Sequence, residues 1–246
     1  MPTQSVTSTH EDGVALVTLD NPPLNLVTLE MTRGLDALLS RLAADPAVRV
    51  LVLTGSGSRA FCAGSDIKEF LEVADAVVPK KLARENAAYS RVAEPRSGAA
   101  LAACCDLIVA EAGGSIALPE IKLGVFPGSG GTIRVTRRIG EGRAKQLMFF
   151  GEPVPVETAL AWGLVNRVAP PGAAVETALT MARELAAGPN VALQLCKQSI
   201  AMAFDRPERE AVEATLALSD RAFRTADCAE GVRAFFAKQP PRFQHR

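Results

Sequence analysis

Residues 55–70 read GSGSRAFCAGSDIKEF. They follow VRVLVLT, 48–54, a near-continuous β-branched and Leu run of the kind a strand buried on both faces requires. A chain that leaves such a strand through Gly, Ser and Ala brings bare backbone N–H groups up to something negative. That partner is either the phosphates of a nucleotide or an oxygen that turns negative only during a reaction. Two local patterns compete. Gly55-Ser56-Gly57-Ser58-Arg59-Ala60 matches G-x-G-x-x-A, the dinucleotide fingerprint. That fingerprint needs a helix at once, with its N-terminus on a pyrophosphate. Here residues 61–64 prolong the loop, and no second strand ends in an acid about 20 residues on. The other pattern is AGSDIKEF. Ser65 and Asp66 are both N-cap types, so a helix is predicted from about residue 66. The Ser65 N–H then belongs to the unpaired donors at the positive helix end. One such donor is worth ~3–4 kcal/mol when it holds an oxyanion.

Working outward, 14–19 reads as a strand and NPPLN, 21–25, as a turn whose prolines bar a helix. Residues 28–44 form a predicted helix, with Leu35, Leu38, Leu39 and Leu42 at i, i+3, i+4, i+7. A further helix is predicted over 82–92. Short strands are predicted at 106–110 and 115–118, and a helix near Gly131 after the irregular PEIKLGVFPGSGGT. Three or four helices follow, broken at Pro153/Pro155, Pro170-Pro171 and Pro189. Trp162 and the Leu and Phe residues near 147–150 are assigned to the core. Strands early and helices late argue an α/β fold with a helical C-terminal part.

Composition excludes several classes. Lys+Arg and Asp+Glu are equal at 27 each, so the net charge is zero, and no basic block suggests nucleic acid. No apolar run approaches the ~18 residues of a membrane span, and the N-terminus lacks a signal-peptide core. The five cysteines, with no CxxC spacing, fit buried thiols in a reducing cytoplasm better than disulfides or zinc. His10 and His245 lie at the chain ends, so no well-placed imidazole base is expected. Acid–base work falls to a carboxylate, Lys, Tyr or Cys.

Five segments together resemble the crotonase, or enoyl-CoA hydratase/isomerase, superfamily: NPPLN, AFCAGSDIKEF, CCDLIVA with PEIKLGVFPGSGGT, ALAWGLVNRV, and EGVRAFFAKQPPRF. The likeness runs over nearly the whole chain. It implies a spiral of β–β–α repeats at 1–171 carrying the site, and a helical oligomerisation or lid part at 172–246. It also implies a homotrimer or a hexamer built as a dimer of trimers. The implied substrate is a coenzyme A thioester, with no metal or redox cofactor. Its carbonyl would sit between two backbone N–H groups that stabilise an enolate, the first from Ser65. Positions implied to contact substrate or CoA are Leu26, Arg59, Ala63, Gly64, Asp66, Ile67 and Lys68, then Gly124, and finally Phe235 and Lys238 from the C-terminal part.

Two departures from the family pattern stand out. A segment like P-V-[IV]-A-A-V-x-G-x-A-x-G-G-G normally precedes the Ala/Leu-rich helix, whereas here Pro95 runs straight into RSGAALAACCD. Roughly ten residues, a strand and its turn, are absent by that comparison. The second oxyanion N–H would have to come from Ser97 or Gly98. Removing an internal strand leaves ladder groups unpaired at ~1–3 kcal/mol each. Three explanations are open: the preceding helix fills the gap, the protein is an impaired or non-catalytic relative, or the sequence lacks a segment of the whole protein. The second departure concerns acids. Hydratases of the family typically use two glutamates; one matches Glu120, and the other falls at Ala100. A single carboxylate suits moving a proton from carbon 2 to carbon 4 of an enoyl thioester, whereas hydration also asks that a water be held and deprotonated.

Overall fold

The computed structural model describes residues 5–93 and 102–246. Its strands are β1 (Val6–Glu11), β2 (Val14–Leu19), β3 (Val50–Gly55), β4 (Val109–Glu111), β5 (Ser115–Ile116), β6 (Val154–Pro155) and β7 (Arg167–Ala169). Its α-helices are α1 (Leu29–Ala44), α2 (Phe70–Val73), α3 (Ala83–Ala93), α4 (Gly131–Ile139), α5 (Glu141–Phe150), α6 (Val156–Trp162), α7 (Ala174–Ala187), α8 (Asn190–Asp205), α9 (Glu208–Phe223) and α10 (Ala226–Ala237).

β1 and β2 form an antiparallel hairpin, Val6 opposite Leu19 and Glu11 opposite Val14. Asp12 and Gly13 join them at φ 52° and 83°. Positive φ at both turn residues twists the connection to match the strands. The sequence reading has no strand here, because VTSTHE buries Val6 alone and shows no apolar alternation. β3 lies parallel to β2, Val14 opposite Val50 and Leu19 opposite Gly55. The crossover between them is α1, which Thr28 caps by accepting the Met31 N–H at 3.0 Å. Leu35, Leu38, Leu39 and Leu42 are its buried face, as their spacing predicts.

Period-two geometry divides the strands between two layers. Ala15, Val17, Leu19 and Leu51 join the α1 cluster. Val14 and Val52 turn the other way, onto Ala182 and Ala186 of α7. β3 is therefore covered on both faces, in keeping with its apolar run. Among the described residues it has a strand on one edge only, because β4 pairs with β7 and β5 with β6 in separate sheets. An apolar cavity of about 170 Å³ lies between β3 and the approach to β4, lined by Leu51, Leu53, Leu107, Ile108, Ala178 and Leu185 among others.

Several expectations are corrected. The helix from residue 66 is a 3₁₀ turn, Ile67–Glu69, running into the single turn of α2. The strand at 106–110 begins only at Val109, because the Ile108 N–H is taken by Asn166 Oδ1 at 2.9 Å. Six helices follow α4, since Gly140, Pro207 and the Thr225 cap add breaks to those at the predicted prolines. α5 buries Ala144, Leu147 and Met148, which leaves Phe149 and Phe150 on its outer face, exposed rather than in the core.

Candidate active site

The loop after β3 is built on close backbone approaches. A Cβ at Gly55 would overlap the Phe61 carbonyl and Asn25 Nδ2. Asn25 itself is fully buried at φ 51°, a conformation Asn tolerates better than most residues. Its Nδ2 donates to the carbonyls of Ser56 and Ala60, both at 2.9 Å. Its Oδ1 accepts from the Asn21 N–H at 3.1 Å and from Ser56 Oγ at 3.2 Å. The NPPLN turn is thus bolted to the glycine-rich loop. Sequence reasoning placed no weight on Asn25. The signal was an amide side chain closing a double-proline turn.

Farther along, the Ala63 N–H donates to the Leu24 carbonyl at 3.0 Å, the Val27 N–H to Gly64 at 2.9 Å, and the Asp66 N–H to Val27 at 3.0 Å. Val27 and Ser65 thereby form one parallel bridge. Extended backbone sends successive N–H groups to opposite edges. Since Gly64 and Asp66 point toward Val27, the Ser65 N–H points away, and no described residue accepts it. Its freedom comes from this bridge and not from a helix end. Asp66 is the cap, its carboxylate accepting the Lys68 N–H at 3.0 Å.

Behind Ser65 lies a buried ionic cluster. Glu85 and Lys81 are 0% and 2% exposed. Ser65 Oγ is 3.3 Å from Glu85 Oε1, and Ser129 Oγ donates to Glu85 Oε2. Lys81 Nζ is 3.3 Å from Glu85 and 2.7 Å from Glu69, and Glu69 accepts the Leu29 N–H at 2.9 Å. One turn beyond Glu85, Tyr89 is also buried; loss of solvent, and then the Glu85 charge, hold its hydroxyl well above the ordinary tyrosine range. Sequence reasoning missed the whole cluster. The available signal was Lys81, Glu85 and Tyr89 at successive i, i+4 positions.

Glu120 lies in the 3₁₀ turn Pro119–Leu123, which Gly124 ends at φ 75°. Its Oε2 is buried and has no hydrogen-bond partner among the described residues. Burial pushes this carboxyl above the ordinary carboxylate range, and a local backbone N–H only partly offsets the shift. Such a carboxylate is more basic than one in water.

The remaining expected positions are distributed as follows. Leu26 is half-buried, its carbonyl accepting from Asn21 Nδ2 at 2.8 Å. Arg59, Ala63, Gly64, Ile67 and Lys68 are exposed around the loop. Phe235 and Lys238 are on α10 and at its C-cap, both exposed. The tail beyond them is tied back: Glu230 accepts the Arg242 N–H at 2.8 Å, and its ion pair with Arg233 holds its carboxyl down to about 2. Ser97, Gly98 and Ala100 lie outside the described residues.

Comparison with known proteins decides the family. A family model described as enoyl-CoA hydratase/isomerase matches residues 9–246. The chain belongs to the enoyl-CoA hydratase/isomerase family. A Rhizobium meliloti protein named "Probable enoyl-CoA hydratase" is 34% identical over 249 residues, covering 95% of each chain. The short-chain-enoyl-CoA hydratase of Clostridium acetobutylicum is 30% identical, covering 97% of each. That alignment runs over 257 positions against the 246 residues of this chain, so the relative carries internal residues that this family member lacks. The crystal structure of an enoyl-CoA hydratase from Geobacillus kaustophilus superposes with a TM-score of 0.93 at 29% identity, covering 100% of this chain and 98% of that one. The fold is the α/β crotonase fold, and the protein is an enzyme of the hydratase/isomerase type.

Proposed function

We propose that the protein converts enoyl-CoA thioesters through an enolate, with Glu120 carrying the proton and the Ser65 N–H holding the thioester oxygen. The observation that carries this reading is the outward-facing Ser65 N–H, which the bridge to Val27 leaves without an acceptor among the described residues. A preorganised donor aimed at developing charge is among the strongest sources of rate acceleration open to such a reaction. Glu120 supports it independently. A buried carboxyl oxygen with no partner among the described residues, and with its basicity raised by burial, is suited to take a proton from carbon and return it. Ser97 or Gly98 would supply the second N–H.

CoA enters as part of the substrate, and the reading calls for no metal or redox cofactor. Arg59 and Lys68 are exposed cations beside the loop, and in this reading they would meet CoA phosphates. Exposed Phe223, Phe235 and Phe236 support self-association, as a trimer or a hexamer, in which α10 reaches a neighbouring site. Five free cysteines fit a cytoplasmic setting. Among the described residues no helix is long and apolar enough to cross a membrane.

The test is incubation of a medium-chain 3-enoyl-CoA and its 2-enoyl isomer with the protein in D₂O, followed by mass spectrometry. Deuterium incorporation with bond migration and no added water identifies an isomerase. Added water identifies a hydratase working with Glu120 as its acid and base. No change in either substrate with folded protein identifies a non-catalytic relative, impaired by the shortened segment after Pro95.

A further inference from the structure

One buried carboxylate joins two loops of the proposed site. Glu85, on α3, accepts from Ser65 in the loop after β3 and from Ser129 in the loop that opens α4. A carboxylate offers acceptors only, so both serine hydroxyl protons are committed to it. Lys81 fills the remaining side at 3.3 Å and connects onward to Glu69, which holds the first N–H of α1. The contacts therefore run unbroken from α1 through three charges to both loops.

Packing alone does not account for such a cluster. Withdrawing each ion from water costs several kcal/mol before pairing, and apolar residues of similar size often serve stability equally well. What the carboxylate adds is direction: it restrains the side chain of Ser65, the residue whose N–H the Val27 bridge turns outward. Catalysis is sensitive to such placement, since a 1 Å error costs on the order of 10²-fold.

We propose that Glu85 is a positioning residue for the reaction, clamping the Ser65 loop to the Ser129 loop so that the Ser65 N–H meets the thioester oxygen. This inference rests on the proposed role of Ser65. It also places a carboxylate in the service of the site in a chain that has Ala at position 100.

The experiment compares wild type, Glu85→Gln, the double variant Lys81→Met/Glu85→Gln, and Ser129→Ala. Hydrogen–deuterium exchange is read on peptides 61–69 and 127–131, alongside kcat, KM and melting temperature with enoyl-CoA. Glu85→Gln is expected to speed exchange in both peptides while β1, β2 and α8–α10 exchange as in wild type. Its kcat falls about 10- to 100-fold, with KM within about twofold. The double variant, relieved of a buried ammonium that Glu85→Gln leaves with Glu69 alone, regains melting temperature but neither loop protection nor kcat. Ser129→Ala removes one tether without touching the ion pairs and repeats the loop response if Glu85→Gln does not fold. Loops that exchange as in wild type, or a kcat that recovers together with melting temperature, overturn the role of Glu85 while the enzyme reading stands. A wild type inert toward both enoyl thioesters overturns the enzyme reading itself, and with it any part of Glu85 in a reaction.

Discussion

Val27 and Ser65 face each other in a single parallel bridge, with Val27 bonded to Gly64 at 2.9 Å and to Asp66 at 3.0 Å. The two bonds leave the backbone of Ser65 with nothing to do on that side. Its N–H is turned outward by the same alternation that turns its neighbours inward. A donor made available this way is held by a second segment of chain, and so it is stiffer than a frayed helix end.

Ser65→Pro removes that N–H and neither of the bonds to Val27. The expected loss is ~10²–10³-fold in kcat, the cost of one oxyanion donor. Ser65→Ala keeps the N–H and loses less. Steady-state kinetics, with melting temperature as the control for folding, decides; equal turnover in Ser65→Pro and wild type would rule the donor out.

Glu120 gives a pH signature with a definite sign. Burial raises its carboxyl in the native state. As the base, it must be ionised, so kcat/KM falls on the acid side with a midpoint above the ~4.3 of a free Glu. The native state also keeps this proton to higher pH than the unfolded chain does. Stability associated with Glu120 is therefore present below the unfolded value and is lost as pH rises through the native one. Glu120→Gln escapes that loss. It should melt at or above wild type at pH 7, the gap closing toward pH ~4, while turnover drops ~10²–10⁴-fold. Calorimetry across pH, run beside kinetics, checks both halves.

Asn25→Ala should be costly without touching any reacting group. It strips partners from the carbonyls of Ser56 and Ala60 and from the Asn21 N–H. It also places Ala at positive φ. The expected loss is ~2–4 kcal/mol of unfolding free energy by urea titration. That is a large fraction of the ~5–15 kcal/mol typical of a domain. A loss under ~0.5 kcal/mol would mean that the loop does not depend on this clamp.

The C-terminal helices predict self-association. Phe223, Phe235 and Phe236 are 78%, 79% and 80% exposed, large apolar side chains of the kind that mark an interaction surface. Light scattering should find an oligomer. Phe235→Ser/Phe236→Ser should shift it toward smaller species with unchanged circular dichroism. A wild-type monomer at tens of micromolar would sink this prediction.

What the amino-acid order determined by itself was local and periodic. VALVTL read as the strand β2, the 3.6-residue repeat marked α1, and the prolines and glycines marked where helices stop. AFCAGSDIKEF and PEIKLGVFPGSGGT carried the family, because their residue types are dictated by backbone geometry that few side chains permit. Other features were decided only by the tertiary structure. Glu85 lies within a predicted helix, and sequence reasoning gave it no role. It becomes a buried clamp because Ser65 and Ser129, 20 and 44 residues away, close over it. Phe149 and Phe150 read as core, yet α5 has one inner face and Leu147 and Met148 occupy it. The Ser65 N–H has no acceptor among the described residues because Val27, from a distant turn, claims the groups on either side. Burial, charge pairing and the direction of an N–H depend on which distant segments meet, and a local pattern does not record that.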